Sequence, residues 1–158
     1  MSFKKSSVYG VLSMASFLLG ILPLSLEAQA AVGATACPIE FKKAALCAEL
    51  VWTVAPKKTE MPTEKDKAEF TLRVFQKAKK GTTLKPGDTL TAKLFMPSMG
   101  HGSMPTQVEE MRDEQGNVML GSFRVKDVYF SMPGKWEIRL DLKRGEKLID
   151  RAVSPYSL

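Results

Sequence analysis

Along residues 46–54 apolar and polar side chains alternate, with Leu46, Ala48, Leu50, Trp52 and Val54 set against Cys47, Glu49, Val51 and Thr53. A period of two sends successive side chains to opposite faces, so this stretch predicts a half-buried β-strand, which Pro56 ends. Phe70, Leu72 and Val74 alternate in the same way with Glu69, Thr71 and Arg73, and a third strand carries Leu90, Ala92, Leu94 and Met96 on one face. Residues 57–67 between the first two are polar and contain Pro62; residues 77–88 contain Gly81 and Pro86-Gly87, a type II turn signal. Residues 106–111 predict a short, weaker strand, joined through a hairpin connection at 113–117 to a partner at 118–125. Val128, Phe130 and Met132 line one face of the next predicted strand, which stops at Pro133-Gly134. Trp136, Ile138, Leu140 and Leu142 then alternate with Lys135, Glu137, Arg139 and Asp141. Lys143-Arg144-Gly145-Glu146 reads as a hairpin turn before a last strand over 147–153.

These are seven or eight short strands with frequent turn signals and no helical periodicity after the N-terminal segment. The expected fold is all-β, an immunoglobulin-like antiparallel β-sandwich. The disulfide that joins the two sheets of antibody domains is not expected, because the two cysteines lie too close in sequence. No repeated unit suggests a solenoid or propeller.

The N-terminal segment has a different pattern. Lys4 and Lys5 precede a mostly apolar run over 11–26, interrupted by Gly20 and Pro23, and Ala28-Gln29-Ala30 is a cleavage signal of the A-x-A kind. Residues 1–30 are therefore expected to be a signal peptide, 31–45 a leader with a disulfide staple, and 46–158 the sandwich domain. No later stretch approaches the ~18 apolar residues of a membrane span. Ala34-Thr35-Ala36-Cys37 is a poor lipidation signal, because Ala34 replaces the usual large aliphatic and Cys37 lies well past the apolar run. In an exported chain, Cys37 and Cys47 are expected to form one disulfide closing a short loop, worth ~2–3 kcal/mol by the chain-entropy argument. A Cu(I) dithiolate is the rival reading, but the spacing matches no metal motif.

Loss of the signal peptide removes Lys4, Lys5 and Glu27 and leaves 21 basic against 16 acidic side chains. A basic excess can serve nucleic acid or an anionic surface. Export argues against nucleic acid, and Lys57, Lys58, Lys77, Lys79, Lys80 and Lys85 fall in predicted loops, where a solvated surface accounts for them.

The chemistry concentrates in Met96-Pro97-Ser98-Met99-Gly100-His101-Gly102-Ser103-Met104-Pro105, which holds three thioethers and the chain's single histidine. Thioether sulfur is soft and suits Cu(I), and imidazole binds Cu(I) and Cu(II) alike. The glycines and prolines make this a loop in which side chains can converge on an ion. Met96, Met99, His101 and Met104 are the candidate metal ligands. Met96 also lies in register with Leu90 and Leu94, so core packing is an equal reading for it. Met132 shares a face with Val128 and Phe130 and reads as core; it reaches the loop only if the two turns share one end of the sandwich. Trp136 is either a buried sandwich tryptophan or an indole placed over the ion.

Enzymatic arrangements are not expected. One histidine excludes a multi-histidine centre within one chain, a disulfide leaves no free thiol, and Gly121-Ser122-Phe123 has no nucleophile-elbow context. Glu109 and Glu110 lie on the weak strand with nothing to pair them.

The methionine and histidine run, followed by Val128-Tyr129-Phe130-Ser131-Met132-Pro133-Gly134-Lys135-Trp136-Glu137-Ile138, resembles the YtkA-like family, related to FixH-type proteins. The resemblance covers roughly residues 47–142. It implies an exported immunoglobulin-like sandwich associated with copper handling or with assembly of copper-containing oxidases, and carries over to Met96, Met99 and His101; Met104 is added on chemistry alone. FixH-type proteins keep a membrane anchor, whereas this chain is expected to lose its apolar segment. The functional expectation is an exported copper-binding protein that holds Cu(I) for transfer to, or receipt from, a partner protein. A metal-free interaction module using the methionine-rich loop is the alternative, and a methionine-oxidation sensor is a weaker third.

Overall fold

A computed structural model describes residues 36–58, 62–77, 84–85 and 87–158. The expected signal peptide, Met61 and the Gly81 and Pro86 turn positions lie outside the described residues. Among the described residues there are nine strands: β1 (Ile39–Phe41), β2 (Leu46–Val54), β3 (Ala68–Gln76), β4 (Asp88–Met96), β5 (His101–Gly102), β6 (Gln107–Arg112), β7 (Val118–Val128), β8 (Lys135–Arg144) and β9 (Lys147–Ser157). They form two antiparallel sheets in the orders β1-β2-β3-β7-β6 and β5-β4-β8-β9. Leaving β1 aside, the pattern is that of an immunoglobulin-like sandwich, in which the fourth strand of the chain crosses to the second sheet and the sixth returns to the first.

The alternating stretches that became strands each had a facing sheet for their apolar face to pack on. Phe70, Leu72 and Val74 of β3, Leu90, Leu94 and Met96 of β4, and Trp136, Ile138, Leu140 and Leu142 of β8 are all buried in one core. Trp136 is 1% exposed, the largest of the fully enclosed side chains. Two strands were not foreseen, β1 and β5, which have three and two residues and are too short for periodicity to register.

One expected strand is absent. Val128 ends β7, and Phe130 and Met132 lie in the connection to β8. Asp127 has φ 57 and stands at the register shift between the Phe70–Val125 and Ala68–Val128 pairs of β3 and β7, the last pair before β7 ends. Two carbonyls beyond it accept from side chains: the Ser103 hydroxyl donates to the Tyr129 carbonyl, and the Trp136 indole N–H donates to the Met132 carbonyl at 3.0 Å. The apolar spacing there reflects a loop that closes one end of the core, with Phe130 buried and Met132 half-buried.

Cys37 and Cys47 form the expected disulfide, with Cα atoms 5.2 Å apart, and it ties the residues before β1 to β2. The Asp150 carboxylate of β9 accepts the backbone N–H groups of Lys43 (2.6 Å) and Ala44 (3.0 Å), clasping the β1–β2 turn to the other sheet. Among the described residues, no helix is long and apolar enough to cross a membrane.

Two buried carboxylates are paired on the second sheet. Arg144 donates to Asp88 at 2.7 and 3.0 Å, and Arg151 donates to Asp141 at 2.5 and 2.9 Å. In both, the guanidinium hydrogen bond holds the carboxyl below its ordinary range against the opposing effect of burial. The unfolded chain therefore takes up these protons first. The stabilisation is complete above the ordinary carboxylate value of about 4 and is lost as pH falls through the lower folded-state values. The melting temperature followed by circular dichroism is expected to hold from pH 7 to 5 and to fall below about pH 4. In Asp141→Asn it should be lower at neutral pH and the acid decline shallower; an unchanged acid limb would show that this pair does not govern acid lability.

Candidate metal site at one end of the sandwich

β4 runs straight into the methionine and histidine loop. The Met96 carbonyl accepts the N–H groups of Met99 (3.2 Å) and Gly100 (3.0 Å), and Gly100 takes φ 68. Glycine carries that left-handed conformation without a Cβ penalty, so the chain reverses and returns as β5. His101 then lies opposite Met96, and Gly102 opposite Phe95. Side chains of directly opposed residues share a sheet face. Met96 faces the core at 2% exposure, so His101 is on the inward side at the rim of the core. Its ring stands edge-on to Trp136, 6.4 Å between centroids, and Trp136 in turn meets Phe130 at 5.5 Å.

The 129–134 loop closes the same end. Gly134 has φ 142, and a Cβ built on it would stand 3.0 Å from the Met96 Cε. The two turns therefore share one end of the sandwich, the condition under which the Met132 loop reaches the histidine loop.

The four sequence candidates are distributed unevenly. Met96 is a core residue placed beside His101 by strand pairing. Met99 stands on the turn and is 59% exposed. Met104 lies beyond β5, where Ser103 N–H donates to the Leu94 carbonyl at 3.2 Å and the Thr106 hydroxyl to the Ala92 carbonyl at 2.7 Å. That segment follows the edge of β4, and Met104 lines a cleft shared with Phe95 and Arg139. Phe95 alternates with Met96, so this cleft is on the outer face of the sheet. The structure thus groups Met96, His101 and Trp136, keeps Met99 on the adjoining turn, and sets Met104 apart from them. Sequence reasoning missed the direct Met96–His101 pairing; the signal was the single glycine in a four-residue turn, which brings the flanking residues into register.

His101 Nδ1 is 3.0 Å from the Gly102 carbonyl oxygen. A carbonyl only accepts, so in a neutral imidazole this contact selects the tautomer with the hydrogen on Nδ1 and the lone pair on Nε2. Orienting one ring nitrogen by a carbonyl is how a protein readies the other as a ligand. Among the described residues there is no cluster of three or more His, Cys, Asp or Glu side chains. A metal here would rest on one imidazole and thioethers, a donor set for a soft monovalent ion. No family model matches the chain, and no curated protein or solved structure is detectably similar to it.

Proposed function

We propose that this chain is an exported copper-binding protein of YtkA-like type, which takes Cu(I) as cargo at the methionine and histidine loop for transfer or sequestration. The observation that carries the reading is the opposition of Met96 and His101 across a tight turn that also presents Met99. Thioether and imidazole donors in one place are what Cu(I) prefers. The edge-on Trp136 ring supplies an apolar wall beside His101 and limits the approach of water. Exposure of Met99 leaves one donor within reach of a partner protein, which suits exchange with a copper donor or acceptor. The Cys37–Cys47 disulfide supports an oxidising compartment, and a periplasmic or secreted location follows from that together with the signal-like N-terminal sequence.

An anaerobic Cu(I) titration in competition with a chromogenic chelator tests the proposal. The protein is expected to bind one equivalent. His101→Ala combined with Met99→Leu should weaken binding by more than the ~10–100-fold typical of losing an outer-sphere partner, while the melting temperature holds because neither side chain is enclosed in the core. Met96→Leu separates a contribution from the buried sulfur. Failure of the wild type to compete would overturn the copper reading and leave the exposed methionine loop as a contact surface for another protein.

A further inference from the structure

The outer face of the β5-β4-β8-β9 sheet carries a second feature with its own chemistry. The segment after β5 walls a cleft of about 480 Å³ over this face, within the ~300–1,000 Å³ of small-molecule sites. Thr91, Lys93 and Phe95 of β4, Arg139 of β8, Arg151 of β9 and Met104 line it. Three cations therefore converge from three adjacent strands, and no carboxylate is in the lining.

Two of these cations are ion-paired with carboxylates outside the lining, and each keeps donors to spare. Arg139 spends Nε and one Nη on Glu137, and Arg151 spends Nε and one Nη on Asp141, so each keeps its second Nη outside the pair. Lys93 has no ion-pair partner among the described residues. The Arg139 guanidinium carbon lies 3.6 Å from the Phe95 ring centre, a cation–π contact that positions the planar group in the cleft lining. The Thr91 hydroxyl is buried without a hydrogen-bond partner. A buried polar atom left unpaired is costly.

We infer that this cleft binds a small aromatic carboxylate, its anionic group against Lys93, Arg139 and Arg151 and its ring against Met104 and Arg139. The copper reading is not required, because the cleft is on the face opposite to Met96 and His101.

The test is a ¹H–¹⁵N NMR titration of the protein with 2-naphthoate, beside the uncharged 2-naphthalenemethanol. Naphthoate is expected to saturate, with shifts centred on residues 91–95, 102–106, 139 and 151, and to weaken as salt rises. The alcohol and the Lys93→Gln variant should each bind about tenfold or more weakly, as expected for loss of a charged hydrogen bond. Lys93 is exposed, so an unchanged melting temperature of Lys93→Gln verifies its fold. Absence of saturation at millimolar naphthoate, equal affinity for the alcohol, or shifts centred elsewhere would each overturn the inference.

Discussion

Replacing Trp136 with Ala is expected to destabilise the domain by about 3–5 kcal/mol, the range for deleting a large buried aromatic side chain. The indole is 1% exposed and lies where the two turns meet. Three losses combine. The apolar area is no longer removed from water, and a void opens that Phe130, 5.5 Å away, fills only by moving. The Met132 carbonyl also loses its donor at 3.0 Å, in a loop with no strand neighbour to replace it. For a domain of this size the melting temperature should fall on the order of 15 °C. Trp136→Phe keeps most of the volume and loses the N–H, so it should cost clearly less. Urea denaturation of both variants checks this. Equal destabilisation by Phe and Ala would mean that the hydrogen bond to the loop, rather than filling of the core, dominates.

Replacing Gly134 with Val is expected to cost about 3–4 kcal/mol, although the residue itself contributes nothing to the core. Its φ of 142 is in a region open essentially to glycine, and a residue forced there costs about 1–3 kcal/mol. The added side chain also runs into the Met96 Cε, because the Cβ alone would stand 3.0 Å from it; overpacking of this kind adds about 1–3 kcal/mol. The loop has little room to rotate away, since Gly134 and Leu158 are joined by reciprocal backbone hydrogen bonds at 3.0 and 3.4 Å. Combining Gly134→Val with Met96→Ala separates the two effects. Shortening Met96 should recover the overlap and leave the backbone strain. A Gly134→Val variant with an unchanged urea midpoint would show that the loop adopts another path at no cost.

Both substitutions act where the candidate metal site was hardest to foresee. Methionine, glycine and histidine in one loop announced soft-metal chemistry, yet composition within a loop says nothing about which face each side chain takes. Met104 is closer to His101 in sequence than Met96 is, but it follows the edge of β4 onto the outer face. Met96, equally readable as core or ligand, is buried and beside His101. Lys93, Arg139 and Arg151 were ordinary polar positions in three alternating strands until pairing of β4 with β8 and β8 with β9 set them side by side.

The alternation of side chains was enough to identify seven strands, the all-β class and the sandwich. Cysteine count and spacing were enough to anticipate the disulfide. These are local properties: a period of two and a pair of thiols can be read without knowing what lies opposite. The strand expected at 128–132 failed because an apolar spacing of two also suits a loop that caps a core, and the difference is in where the backbone hydrogen bonds go. Strand register, the meeting of the two turns around Trp136 and Gly134, and the division of the methionines between inner and outer faces arise from pairing between residues far apart in the chain. That pairing is chosen by packing of the whole core, which no single segment encodes.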